Sequence, residues 1–299
     1  MHPSFRCLFL SAAAFAACQT AAAQTTLLSE NFNPPTWFNS SGSGMTLASD
    51  GKLSVTAGRH ALTYFAPSAT PQALASGESL QVTFDLSFTT LGTTSGGFRV
   101  GLFDSNGANR PTANGVSTGF QGYDGYAFTF TPNPGSDTNS LNLRRRLTTG
   151  SDQLLTTTAD TTYSVFNSSN SSSSGSATGQ VFQTGTVYAA TYSVSRGSGT
   201  ALTIDFSVTG GAAGWNFGKS YSITGPNDLA FDAFAILSVS TNGSNFAIDN
   251  LRILHTAASS GGISALDVGG GAIPEPSTYA LGAGLAALGL AVWRRRRSV

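Results

Sequence analysis

The stretch "LQVTFDLSF", Leu80 to Phe88, alternates without a break. Leu80, Val82, Phe84, Leu86 and Phe88 share one side, and Gln81, Thr83, Asp85 and Ser87 share the other. Successive side chains point to opposite sides only in an extended chain. A period of two held this long predicts a strand with one buried face and one wet face. "FRVGLF" repeats it through Phe98, Val100 and Leu102, and "YAFTF" through Tyr126, Phe128 and Phe130. "VYAATYSV" does so through Tyr188, Ala190, Tyr192 and Val194, and "LTIDFSV" through Leu202, Ile204, Phe206 and Val208. "FDAFAILSV", Phe231 to Val239, is nearly continuous in apolar residues, which predicts a central strand covered on both sides.

No stretch between Thr25 and Thr256 carries a helical stripe. Turn dipeptides separate the runs: Asp50-Gly51, Asn106-Gly107, Asn114-Gly115, Gly210-Gly211 and Asn242-Gly243. The expectation is one all-β domain over residues 24–255, an antiparallel β-sandwich. A single immunoglobulin-like sandwich is the alternative, but at roughly 100 residues it leaves half of this body unused. Low-complexity segments at Asn167–Gly179 and Thr256–Ala272 are too polar to pack; the second reads as a flexible tether over 256–273.

Both ends stand apart from the body. "MHPSFR" followed by "CLFLSAAAFAAC" has the charged start and apolar run of a signal peptide over 1–23, with Ala21 and Ala23 as the small residues of the cleavage site. Export by the Sec translocon and cleavage by signal peptidase follow from that reading. Lipid attachment at Cys18, after Ala16-Ala17, is the rival. The only cysteines, Cys7 and Cys18, lie inside this segment, so the mature body has no disulfide and is held by its core alone. Between Gln24 and Gly271 there are 10 basic and 14 acidic residues. That sparse, mildly acidic balance gives no footprint for nucleic acid.

Catalytic signals are thin. The glutamates are Glu30, Glu78 and Glu275, and the histidines of the body are His60 and His255. Neither a spaced carboxylate pair for glycoside hydrolysis nor a nucleophile elbow is present, so no catalytic residue and no enzymatic activity are assigned. "DSNGAN", Asp104 to Asn109, begins like a calcium loop, with Asp104 and Asn106 as oxygen donors. The twelfth position is Gly115 where a bidentate Glu belongs, and a hairpin turn explains the same residues. Structural calcium is the one cofactor left open. In "LNLRRRL", Leu141, Leu143 and Leu147 facing inward place Arg145 with them and turn Arg144 and Arg146 outward. Those arginines offer a face for acidic sugars or phosphates, or else they protect a solvated edge strand from pairing. Trp37, Trp215, Tyr123 and Tyr126 offer flat platforms for sugar rings, or core packing.

The chain closes with "PEPSTYALGAGLAALGLAVWRRRRSV". Ser277 to Trp293 carries no charge, and as a single transmembrane helix over 277–293 it spans ~25 Å. Arg294, Arg295, Arg296 and Arg297 then hold its end in the cytoplasm and the body outside. Pro274-Glu275-Pro276, the Gly/Ala/Leu span and the terminal arginines, in that order over 274–299, resemble the PEP-CTERM sorting signal. The resemblance implies recognition by an exosortase, a membrane-embedded cysteine protease of Gram-negative bacteria. It also implies cleavage near the triplet, transient anchoring in the inner membrane, and a setting of exopolysaccharide or biofilm. "LLSENFN" near the start and "FAIDNLRIL" near the end resemble the first and last strands of concanavalin-like jelly rolls, which implies that the chain ends pair.

Together these readings predict an exported, exosortase-sorted β-sandwich with a structural or adhesive role at the cell surface or in an extracellular polysaccharide matrix. The alternatives are a lectin-like carbohydrate-binding module and a glycan-active enzyme. An open face of clustered aromatics favours the first alternative, and carboxylates converging in a cleft favour the second. With no cysteine after Cys18, the exported body is expected to melt at the same temperature with and without reductant in a thermal scan. A melting point that falls on adding reductant contradicts the disulfide-free reading.

Overall fold

The computed structural model describes residues 22–259, apart from 31, 33–36, 40–43, 49, 94–96, 108–109, 112, 116–118, 134–140, 147–153, 156–162, 166–180, 213–214, 225–227 and 240–242. Ala21–Ser259 form one compact unit. The serine-rich stretch at 167–179 and nearly all of the signal segment and tether, Ala21 included, lie outside the described residues. So does the whole tail at 274–299: the triplet Pro274, Glu275 and Pro276, the span 277–293, and the orienting residues Arg294, Arg295, Arg296 and Arg297.

Seventeen strands, β1 to β17 in chain order, and no helix make up the described residues. The larger sheet holds β1 (Gln24–Ser29), β3 (Met45–Leu47), β4 (Leu53–Val55), β7 (Ser79–Phe88), β12 (Val187–Arg196), β13 (Leu202–Gly210), β14 (Asn216–Ile223) and β17 (Phe246–Thr256). Its order is β14-β13-β12-β7-β17-β4-β3, with β1 also on β17. The second sheet holds β2 (Trp37–Asn39), β5 (Arg59–Tyr64), β8 (Phe98–Asp104), β9 (Asp124–Phe130), β10 (Asn142–Arg146), β11 (Tyr163–Val165) and β16 (Ala233–Ser238), in the order β11-β10-β9-β8-β16-β5-β2. A small ribbon pairs β6 (Gln72–Ala73) with β15 (Ala230–Phe231). Every pairing between these strands is antiparallel, and the chain passes directly from one sheet to the other between β1 and β2, β2 and β3, β4 and β5, β7 and β8, β11 and β12, and β16 and β17. The result is an antiparallel β-sandwich, as the two-residue period predicts.

The strand that announces the fold sits near the middle of the larger sheet. β7 lies between β12 and β17, with Leu86 opposite Tyr188 on one side and Ile248 on the other. Its alternation is unbroken in burial: Leu80, Val82, Phe84, Leu86 and Phe88 are buried, and the residues between them are half-exposed. In β17 strict alternation would turn Leu251 and Ile253 to solvent. Asn250, at φ 51°, opens a bulge between Asp249 and Arg252 that returns both to the core. A slip of one residue reverses every side chain beyond it, so the bulge is what keeps the last strand in register with the hydrophobic face. β1 runs along this strand, Gln24 opposite Thr256 and Ser29 opposite Arg252, so the first and last strands do pair.

The sheets meet through aromatic rings. Phe84 packs on Phe234 at 5.7 Å between centroids, Phe98 on Phe88 at 5.3 Å and on Phe246 at 5.2 Å, and Phe128 on Tyr192, Phe206 and Tyr221. Each buried Phe contributes roughly 2–3 kcal/mol through area removed from water. The second sheet differs from the sequence expectation in one respect. Alternation in "FRVGLF" and "YAFTF" predicts a wet face, yet β8 is buried throughout and β9 nearly so. A second apolar core covers that face: Phe103, Phe120, Tyr123, Leu154 and Leu155 lie over Ala127, Ala233 and Ala235. The sheet is carved out with small residues to admit it. A Cβ at Gly101 would lie 2.6 Å from the Tyr126 carbonyl oxygen, and one at Gly125 (φ 138°) would run into the Leu102 carbonyl oxygen. β16, as predicted, is buried on both sides.

Phe84→Asp places a carboxylate between the sheets and is expected to cost several kcal/mol, enough to unfold the domain. Thr83→Asp, one residue away on the wet face, should shift a denaturation midpoint little. Equal effects of the two in a urea titration contradict the facing assigned to β7.

Candidate functional site

The polar groups of the domain gather in three places. At one end of the sandwich, Asp104 closes β8 directly opposite Asp124, which opens β9. Asp104 is buried, and its Oδ1 accepts the Asn106 backbone N–H at 2.7 Å. Asn106 has φ 50°, Gly107 follows at 69°, and the Asn106 amide donates to the Gly122 carbonyl at 2.8 Å. These residues therefore form an Asx-type turn, but it opens the long segment to β9 and is not the tight hairpin expected. Beside them Arg145 grips Asp228 with two bonds, Nε to Oδ2 at 3.1 Å and Nη2 to Oδ1 at 2.9 Å. The Asp228 N–H donates to the Tyr126 hydroxyl at 3.1 Å.

Burial first, and then the charges of Asp228 and Asp104, push the Asp124 carboxyl up to about 7. Asp104 is also raised, mainly by burial. A few residues away Asp232, fully enclosed, accepts from the Ser105 N–H at 2.9 Å, from the Ser105 hydroxyl, and from Arg110 Nη2 at 2.6 Å. The Arg110 guanidinium lies 4.2 Å above the Tyr64 ring, whose hydroxyl shares a 2.8 Å bond with that of Tyr123. Burial raises both phenols, Tyr123 to about 12. These ties lock the segment after β8 onto the sheet. No group of three or more His, Cys, Asp or Glu among the described residues is arranged to hold a metal ion. Asp104 and Asn106 are joined to each other and to Gly122 by the two hydrogen bonds of this turn.

The second place is the arginine strand. Arg145 does share the side of Leu141 and Leu143, and Arg144 and Arg146 take the other. β10 is not an edge, because β11 pairs along it. Nor does Arg146 line an open face: it is fully buried, donating to the carbonyls of Tyr123 at 3.0 Å, Leu154 at 3.2 Å and Phe120 at 2.8 Å. Those are the segments that cover the second sheet, so Arg146 fastens the cover and is not presented to a ligand. Trp37 is enclosed against Phe32 and Phe234, and Trp215 packs half-buried on Phe182 and Tyr188. Tyr123 and Tyr126 are both fully buried. None of the four aromatics offers a flat exposed platform.

The third place was not singled out by sequence. On the wet face of the larger sheet, Asp85 of β7 stands opposite Asp249 of β17. With Lys52, Ser87 and the exposed Val187 they line a shallow pocket of about 90 Å³. The Lys52 amine binds Asp50 at 2.6 Å, which raises its pKa, with smaller contributions from Asp249 and Asp85. Asn250 donates its amide to Asp85 at 2.8 Å. Two carboxylates directly opposite repel; a lysine and the amide carried on the bulge offset that here. The signal available in sequence was Asp249-Asn250, where the alternation of "FAIDNLRIL" breaks.

An antiparallel β-sandwich with a covered second sheet and a polar outer face thus precedes the tether and tail. Residues 272–297 carry the PEP-CTERM protein-sorting motif. The match takes in Pro274, Glu275 and Pro276 at its start and Arg294, Arg295, Arg296 and Arg297 at its end, so the parts quoted from the sequence all fall within it. No curated protein matches the chain. Among solved structures it is similar to the exoplasmic/lumenal domain of VIP36 in a Ca2+/Man3GlcNAc-bound form, at 12% identity over 76% of this chain and 86% of that one, TM-score 0.45. The lectin from Bauhinia forficata in complex with GalNAc gives 14%, 79%, 100% and 0.40. A carbohydrate esterase from Shiga toxin-encoding bacteriophage phi24B gives 14%, 79%, 100% and 0.42.

The raised Asp124 has a signed consequence. Between the ordinary 3.8 and about 7 the unfolded chain has lost this proton while the folded chain keeps it, so the group's contribution to stability falls as pH rises through that window. Asp124→Asn removes the loss. Its Tm is expected to exceed wild type by ~2 °C or more at pH 8 and to match it near pH 3.5. A wild type more stable than the variant at pH 8 in scanning calorimetry contradicts the assignment.

Proposed function

We propose that the chain is an exported, exosortase-sorted protein whose β-sandwich serves a structural or adhesive role at the cell surface or in an exopolysaccharide matrix. The observation that carries the reading is the PEP-CTERM motif at 272–297, placed after the folded unit and a glycine-rich tether. In this reading Ser277–Trp293 forms a temporary transmembrane helix, Arg294, Arg295, Arg296 and Arg297 stay cytoplasmic, and an exosortase releases the body near Pro274-Glu275-Pro276. Signal peptidase cuts after Ala23, which leaves β1 whole because that strand begins at Gln24. The interleaved strand order and the pairing of β1 with β17 fit a concanavalin-like jelly roll.

The sandwich acts by binding and not by catalysis. Asp232 and Asp228 at the end cluster are spent on Arg110 and Arg145, and the pocket at Asp85 and Asp249 is well below the ~300 Å³ of an ordinary small-molecule site. A lectin-like reading is favoured by that same pocket, where carboxylates, an amine and an exposed valine are the groups that meet sugar hydroxyls and C–H faces. A glycan-binding screen with and without calcium tests it. Retained binding in Asp85→Ala contradicts a role for the pocket.

Sorting is tested in the native host by intact mass. Replacing Pro274-Glu275-Pro276 with three alanines is expected to leave an uncut, membrane-bound protein with its body outside, whereas wild type ends near Pro274. A wild-type C-terminus still at Val299 overturns the sorting reading.

A further inference from the structure

We propose that Gln24, once freed by the cut after Ala23, is a modification site at which the new N-terminus closes on its own side chain to form pyroglutamate. This rests on the signal-peptide reading above and goes beyond it by assigning the chemistry of the end that the cut creates. Gln24 is the first residue of β1 and is exposed, as are Thr25 and Thr26 after it.

The ladder decides where the backbone of Gln24 points. Gln24 stands opposite Thr256, and the Ala257 N–H donates to the Ala23 carbonyl at 2.9 Å. In an antiparallel pair the backbone groups of successive residues face opposite sides. With the Ala23 carbonyl turned to β17, the Gln24 N–H is turned away from it. No other strand receives it. β7 takes one side of β17; the other side is shared by β4, over Phe246–Ile248, and β1, over Arg252–Thr256. β1 pairs with nothing else among the described residues, so its outer edge is open. The nitrogen that becomes the α-amine lies on that edge, while the pairing of Thr25 with His255 holds the chain behind it.

A glutamine at a chain end has its side-chain amide carbon within reach of its own α-amine. An α-amino group titrates at about 7.7–8.0, so a share of it is neutral and nucleophilic at pH 7. The amine attacks Cδ; the N–Cδ bond forms and the Cδ–Nε2 bond breaks. One proton passes from the attacking nitrogen to Nε2, which leaves as ammonia, and no oxidant, reductant or cofactor is consumed. A nitrogen donating into the ladder would have to break away first, and this one does not. The product is an uncharged end without an amine. An aminopeptidase that started at an open Gln24 would consume the strand that carries Leu27 and Leu28 onto the core, and the lactam removes the group such an enzyme grips.

The test is mass spectrometry of the N-terminal peptide of the full chain, exported with its signal from a Gram-negative host and followed at pH 7 beside a synthetic peptide of residues 24–30. The chain's peptide is expected to begin at Gln24, to be lighter than its sequence by one ammonia, to resist an amine-reactive label and to be reopened by pyroglutamyl peptidase. Closure in the folded chain should be no slower than in the free peptide. Gln24→Ala should be cut at the same bond, keep a labelled amine and melt with wild type. A tenfold lag of the folded chain behind the peptide overturns the proposal, and so does a wild-type end that labels as fully as Gln24→Ala. The terminal residue separates the two readings. An end at Gln24 that keeps its ammonia overturns this inference alone, whereas an end at any other residue overturns the cut after Ala23 and the inference with it.

Discussion

Phe128 touches Tyr192, Phe206 and Tyr221 across the gap between the sheets, and Phe130 touches Phe182, Phe206 and Phe217 beside it. That ring-to-ring seam is what the architecture depends on. The body from Gln24 onward has no cysteine, so no disulfide joins the layers. Aromatic side chains bury large areas and lock together in tilted and edge-on pairs, which fixes the distance between the sheets as well as their attraction. Polar tips at the margin complete the seam. The Tyr192 hydroxyl donates to the Tyr126 carbonyl at 3.0 Å and the Tyr221 hydroxyl to the Leu141 carbonyl at 2.9 Å, so neither phenol is buried without a bond.

The second core follows from the first. Once β8, β9 and β16 turn most of their large residues toward the seam, the middle of their other side is small: Gly101, Ala127, Ala233 and Ala235. A face of small residues is a shallow trough, and Phe103, Phe120, Leu154 and Leu155 fill it. Arg146 supplies the fastening. A fully buried guanidinium is expensive to desolvate, and here it is compensated by carbonyls at the ends of the covering segments, groups that themselves need donors. The same cover closes the face on which exposed aromatics would have marked a sugar platform. On the larger sheet the outward side of β7 carries no such cover: its alternate residues stay half-exposed.

Charge is distributed to match. Asp228 and Asp232, at the end of the sandwich, are each held by an arginine, while Asp124 faces Asp104 and Asp228 and holds its proton to near neutrality. The end cluster is thus a fastening for loops in which Asp124, and to a lesser extent Asp104, responds to pH. Asp85 and Asp249 are different. They stand on a flat solvated sheet, where Lys52 and Asn250 screen them and water remains at hand.

The strand faces were legible from sequence because a period of two is a local property: each residue's side is set by its neighbours along the chain. That determined β7, the inward side of β12 and β13, the doubly buried β16, the disulfide-free body and the split of Arg145 from Arg144 and Arg146. The sorting motif, from Pro274 to the run Arg294, Arg295, Arg296 and Arg297, was likewise a matter of residues in order. What lay across the sheet was not legible. Whether Arg146 meets water or three carbonyls depends on segments at Phe120, Tyr123 and Leu154 that no periodicity ties to β10. Whether "FRVGLF" has one wet face depends on a cover drawn from elsewhere in the chain. The facing of Asp85 to Asp249 needs two strands far apart in the chain to pair in one register, and a bulge at Asn250 to keep it. Those meetings are set by packing between distant segments, and only the tertiary structure decides them.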